Sequence, residues 1–164
     1  MARLVKTELD ESNEASVAFM IQDYGFDAKL ADLEQTASPY DIIISLDGVN
    51  IAFAEVKART IDSKAYSETL IPVKKINRLM ELSFEMKLTP LVIFKYTDKS
   101  LWLDARDIDK DKHRIGTAIR RKPRKSGIWL NSDKGHDAYY IPVIELFEMK
   151  QLKDYLNDER GRNP

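Results

Sequence analysis

The sequence predicts an α/β (α+β) fold in which a mixed β-sheet is flanked by helices, and three observations carry that expectation. Apolar residues recur at helical spacing in two stretches, through Val17, Ile21 and Tyr24 and through Val73, Ile76, Leu79, Met80 and Phe84. Between and after them lie apolar runs of strand length, of which PLVIFKYT at 90–97 is continuous enough for a strand covered on both faces. Gly and Pro punctuate these stretches, so helices and strands alternate along a chain of 164 residues, long enough to bury its own core. A single domain is expected, with a core at about 8–97, a basic segment at 110–125 and C-terminal strands and a helix at 127–156.

The first helix should start near Thr7 or Ser12, where TELD and SNEA both read as capping signals. Gly25 suits the left-handed position that ends it, with Phe26 packing back. Extending its apolar stripe three residues backwards lands on Glu14, which places an acid on the core side. A short strand at 27–33 and a polar loop at 34–39 come next, then two strands around Asp47-Gly48. Pro72 fits the first turn of a second helix that runs to about Lys87. SLWLD at 100–104 reads as an edge strand. Further strands are expected near GIWL (127–130) and AYYIPVI (138–144), then a final helix over 145–156.

Composition removes several chemistries. There is no cysteine, so disulfides, zinc–thiolate sites, iron–sulfur clusters and thiol catalysis are all excluded. His113 and His136 are the only histidines, both in polar late segments and both expected to be exposed and idle. A histidine-built metal site or a Ser-His-Asp triad is therefore disfavoured. No apolar stretch reaches membrane-spanning length, so the expected location is the cytoplasm, that of the host cell if the protein is viral.

The formal net charge of −1 hides an asymmetry. Residues 1–60 carry five Lys/Arg against eleven Asp/Glu, whereas 110–125 carry eight basic residues against Asp111 alone. One part gathers carboxylates and another is suited to meet a polyanion. The basic residues proposed to contact nucleic acid are Arg114, Arg120, Arg121, Lys122, Arg124 and Lys125, with Lys74, and with Lys64, Tyr66 and Lys75 along the same path. Trp102 and Trp129 are read as packing residues.

The acidic half contains the unusual stretch, YDIIISLDGVNIAFAEVKART at 40–60, which sets Asp41, Glu55 and Lys57 into otherwise apolar strands. Alternation puts Phe53, Glu55 and Lys57 on one face. A plain two-residue turn at Asp47-Gly48 would pair 41 with 54 and send the acids to opposite faces. A three-residue loop, Leu46-Asp47-Gly48, or an equivalent bulge, would bring Asp41 and Glu55 together, and one of these is expected. If Glu14, Asp41 and Glu55 converge, their mutual repulsion calls for a hard divalent cation, Mg²⁺ or Mn²⁺. Lys57 would stand beside it, placed to position a water or offset phosphate charge.

These residues resemble a known pattern. SPYD at 38–41 followed by Glu55-Val56-Lys57 is similar to the PD-(D/E)xK nuclease superfamily, with Tyr40 separating the proline from the aspartate. Glu14, eleven residues before Gly25-Phe26, with a short strand and a Ser/Thr-containing loop after it, resembles the archaeal-type Holliday junction resolvases. The resemblance covers about residues 8–97. It implies a restriction-endonuclease-like core and a Mg²⁺-dependent endonuclease in which Glu14, Asp41, Glu55 and Lys57 are catalytic. It further implies the Val56 carbonyl as a metal ligand and Ser38, or Thr36, as the assisting loop residue. DNA, most of all a branched four-way junction in recombination or repair, is the implied partner, and a homodimer the implied assembly. The other readings are a restriction-type or flap-specific nuclease of the same superfamily, and a DNA-binding module that has lost cleavage. The loop DLEQTAS at 32–38 is shorter and more acidic than the family's usual loop.

Overall fold

The apolar run at 90–97 becomes the strand around which the other elements are laid. The computed structural model describes residues 8–31, 39–118 and 135–162. Along the chain these form α1 (Glu8–Asp23), β1 (Asp27–Leu30), β2 (Ile42–Leu46), β3 (Val49–Ala58), β4 (Glu68–Pro72) and α2 (Val73–Met86). They continue through β5 (Thr89–Lys95), β6 (Ser100–Asp104), β7 (Arg114–Ala118), β8 (His136–Pro142), β9 (Phe147–Glu148) and α3 (Leu152–Arg162). One sheet runs β1-β2-β3-β5-β6-β9, antiparallel except where β3 and β5 lie parallel. A smaller antiparallel sheet runs β4-β8-β7. This mixed sheet flanked by helices is the restriction-endonuclease-like arrangement expected from the sequence.

The large sheet is covered on both faces, which is why β5 needs no polar side. On one face Val17, Ala18 and Ile21 of α1 and Leu152 and Leu156 of α3 pack onto Ile42, Ile44, Ala52, Ala54, Leu91 and Ile93. On the other, Ile76, Leu79 and Leu82 of α2, with Ile71, Tyr139 and Ile141 of the small sheet, pack onto Phe53, Val92 and Phe94. α1 ends as its sequence indicates, with Gly25 at φ +93° and Phe26 buried behind it. Pro72 precedes the first residue of α2, and Lys87 closes the helix in the left-handed conformation. Among the described residues no helix is long and apolar enough to cross a membrane.

Several expectations change. SLWLD is not an edge strand: β6 lies between β5 and β9, and all five of its residues are buried. Its short polar-ended pattern suggests an edge, but β9 supplies cover, with the Trp102 Nε1–H donating to the Glu148 carbonyl at 2.9 Å. Strands β4 and β7 are not expected from the sequence, because the residue types of ETLIP and RIGTA do not alternate between apolar and polar, although burial along β4 does alternate. α3 begins at Leu152 rather than 145, since β9 and two short 3₁₀ turns occupy 143–151. Phe84 and Met80 point outwards, and Leu82 takes the buried position on α2. His113 is buried rather than exposed, because the turn after Asp109 folds it inwards and its Nε2 lies 2.7 Å from Glu145 Oε2. The expected GIWL strand and Trp129 lie outside the described residues.

The β2–β3 hairpin resolves the question of register. Asp47 and Gly48 form a two-residue turn with φ values of 52° and 78°, and Leu46 pairs with Val49 and Ser45 with Asn50. The register then shifts by one, so that Ile44 pairs with Ala52, Ile43 with Phe53 and Ile42 with Ala54. Ile51 is the extra residue of a β-bulge. The expected change of parity is present, made by the bulge and not by a three-residue loop.

A Cβ added at Gly48 meets nothing within 4 Å, so its substitution is penalised through the backbone alone. Gly48→Ala is expected to lower stability by about 1 kcal/mol, a fall of ~2–4 °C in a thermal unfolding scan.

Candidate active site

Asp41 is locked in place by backbone before its side chain is considered. Its amide donates to the Ala54 carbonyl at 2.9 Å and its carbonyl accepts from Ala31 N–H at 2.8 Å. The carboxylate then accepts from the Val56 amide, with Oδ2 at 2.8 Å. Asp41 therefore reaches past Glu55 to the next residue of β3, and the two acids face one another at the end of the ladder. Both are buried, at 7 % and 6 % exposure.

Glu55 shares its face of β3 with Phe53 and Lys57. Its Oε1 lies 3.2 Å from Lys57 Nζ and 3.2 Å from Lys75 Nζ. Burial first, and the charge of Asp41 second, push the Glu55 carboxyl above its usual range, while the two lysines pull the other way. The outcome is a partly neutralised pocket of charge, two carboxylates against two ammonium groups, with the lysines partly open to solvent.

Glu14 is also buried, one turn before Val17 on the core-facing stripe of α1. That helix covers the opposite face of the large sheet from α2. Among the described residues, no three acidic or histidine side chains gather closely enough to hold one metal ion. The structure thus brings Asp41, Glu55 and Lys57 together and does not add Glu14 to that cluster. Ser38 and Thr36, with Arg120, Arg121, Lys122, Arg124 and Lys125, lie outside the described residues. Lys74 is on the first turn of α2. Arg114 is half-exposed, pairs with Glu68 at 3.1 Å and lies 3.7 Å over the Tyr140 ring.

The sequence places Lys75 along the DNA path, whereas the structure makes it a member of the acid cluster. Its signal is present in the spacing: Leu82 and Leu79 define the buried stripe of α2, and four residues back lies Lys75. The same extension that singles out Glu14 on α1 leads to Lys75 on α2.

Known proteins resemble this chain in sequence pattern and in fold. Residues 3–148 match the family model described as "Phage putative PDDEXK endonuclease", and the chain belongs to that family. Membership makes it a nuclease, with DNA as its substrate class and a divalent metal ion as the general requirement of PD-(D/E)xK chemistry. No curated protein sequence matches significantly. Among solved structures the fold is similar to Hjc, a Holliday junction resolvase from Archaeoglobus fulgidus, with a TM-score of 0.52, 13 % identity, and 85 % of this chain and 98 % of that one covered. It is also similar to D212, a nuclease from a fusellovirus, with a TM-score of 0.54, 14 % identity and 93 % of each chain covered.

The raised Glu55 pKa has a definite sign. Folded Glu55 holds its proton to higher pH than the unfolded chain, whose reference value is 4.5, so metal-free stability falls as pH rises through the interval between the two. Glu55→Gln should therefore raise the metal-free melting temperature at pH 7, and the gain should vanish at pH 4, as thermal scans at both pH values will read.

Proposed function

We propose that the protein is a divalent-metal-dependent DNA endonuclease that hydrolyses phosphodiester bonds at branched DNA, acting as a Holliday junction resolvase. The observation that carries the reading is the buried Asp41–Glu55 pair set face to face and bracketed by Lys57 and Lys75. A buried carboxyl whose pKa is raised by burial and by the charge of a neighbouring acid, as at Glu55, fits a hard cation, since oxygen ligands of this kind select Mg²⁺, with Mn²⁺ able to substitute. Asp41, Glu55 and the Val56 carbonyl would hold it. When bound, the ion supplies Lewis-acid polarisation of the phosphoryl oxygen and a more acidic water.

The chain's own residues do the remainder. The Val56 amide fixes the orientation of Asp41, and the ladder bonds on either side of Asp41 stop it from withdrawing. Lys57 sits where an ammonium can hold a water or meet charge that develops on the phosphate. Lys74, Arg114 and the basic residues Arg120, Arg121, Lys122, Arg124 and Lys125 would hold the DNA backbone, contacts that position a duplex without reading its sequence. A homodimer would present two such sites to a four-way junction of matching two-fold symmetry. Ser38, or Thr36, would assist from the loop before Asp41.

Labelled four-way junction, linear duplex and flap DNA, incubated with and without Mg²⁺, test the reading. Paired nicks near the branch point are expected. Cutting of plain duplex or flap would shift the assignment to another specificity, and binding without product under Mg²⁺ or Mn²⁺ would leave a cleavage-dead module. Asp41→Ala should slow cleavage by at least about a thousandfold, the scale of several kcal/mol of lost charge stabilisation, and leave DNA affinity unchanged or tighter. Neutralising Arg120, Arg121 and Arg124 should flatten the log–log salt dependence of binding by about 0.9 for each phosphate no longer neutralised.

A further inference from the structure

Beside the acid cluster lies a pocket that phosphodiester hydrolysis does not need. Beyond the end of β3, the Arg59 amide donates to the Lys95 carbonyl at 2.8 Å, so the pairing with β5 continues. Glu55, Lys57 and Arg59 therefore alternate onto one face, successive members about 6.6 Å apart along the strand. Arg59 opens a pocket of about 450 Å³, lined also by Tyr66, Leu70, Tyr96 and Tyr140, with Glu68 at its wall.

Three features make this a built site and not a surface dent. The Arg59 guanidinium is held flat: Nη2 donates to the Leu70 carbonyl at 2.7 Å, Nη1 to the Ala58 carbonyl at 3.4 Å, and its carbon lies 5.7 Å from the Phe94 ring centre. Those two bonds use two of its five N–H groups. The Tyr96 hydroxyl is buried and finds no hydrogen-bond partner among the described residues, an arrangement that a ligand atom would correct. Tyr66 is 68 % exposed at the rim, an aromatic face with no burial to justify it. Glu68 does not spoil the site for a nucleotide, because Arg114 neutralises it at 3.1 Å.

We propose that this pocket receives a nucleobase unstacked from the DNA strand beside the bond being cut, stacked on Tyr66 and met at its edge by Arg59 and the Tyr96 hydroxyl. The reading rests on the nuclease function proposed above and sharpens its substrate to DNA that can release a base near the cut, as at a branch point or an unpaired segment. Aromatic lining with few polar groups suits a base, since every base has a face to stack, whereas a phosphate alone would want several cations. Burial lowers the pKa of Arg59, in keeping with a guanidinium that lacks water and gains from an acceptor-rich partner. The pocket volume falls within the range of small-molecule sites and accommodates a base with its sugar.

The test removes bases one at a time. A four-way junction and a flap DNA are made with a single abasic site stepped through the nucleotides around the branch, and binding is measured in EDTA so that no strand is cut. One position is expected at which loss of the base weakens wild-type binding about tenfold. Tyr66→Ala should erase that difference and Tyr96→Phe should reduce it, and thermal scans will show both variants folded, since one side chain is exposed and the other loses only a hydroxyl. A flat scan, or a sensitive position that both variants retain, overturns the pocket assignment. The same intact DNAs with Mg²⁺ keep the two readings apart. Cleavage with a flat scan removes the pocket alone, whereas a Tyr66-dependent position without cleavage keeps the pocket and removes the nuclease.

Discussion

One inserted residue, Ile51, decides whether this chain has a site at all. A hairpin closed by Asp47 and Gly48 in an uninterrupted register would set position 41 across from 54, and Glu55 would look away from Asp41. The bulge moves the outer half of the ladder by one position, after which Ile43 meets Phe53 and Asp41 reaches the backbone of Val56. Because side chains alternate with a period of two, no smaller adjustment could have the same effect. The apolar residues of β2 and β3 enforce it: Ile42, Ile44, Ala52 and Ala54 belong to the core under α1, so slippage would expose them.

The same register creates an electrostatic problem that the fold answers from another element. Burial first, and the charge of Asp41 on the neighbouring strand second, disfavour the ionised state of Glu55. Lys57 comes from β3 itself, but Lys75 has to be carried in on α2. That helix is held over the site by Ile76, Leu79 and Leu82 packed against the large sheet, and by the small sheet beside it. Apolar burial thus delivers a charge to where it is needed.

Much of this is legible in the residues, and the failures have physical reasons. The helix end at Gly25, the buried β5 run and the odd placement of Asp41, Glu55 and Lys57 all come from local pattern, and the structure returns them. The means of the parity change is not local: a bulge at Ile51 has no residue signature of its own, whereas a glycine-bearing loop does. β6 reads as an edge because its cover arrives from β9, more than forty residues later. His113 reads as exposed because its polar neighbours say nothing of the turn that buries it. Lys75 reads as a DNA contact because its charge suits a phosphate as well as a carboxylate, and only the packing of α2 over β3 decides that it meets Glu55.

The parallel pairing of β3 with β5 has a consequence for how the molecule assembles. Asp41 and Glu55 are joined by a hairpin whose loop is short, so closing it sacrifices little chain entropy. Lys75 and β5 can reach them only after the whole excursion through β4 and α2 has turned back on itself, a far less local event. The two acids are then neighbours, with Lys57 beside them, before Lys75 arrives. Any dissolved cation present at that moment would ease their repulsion, so the ion a nuclease needs for chemistry would also speed its refolding.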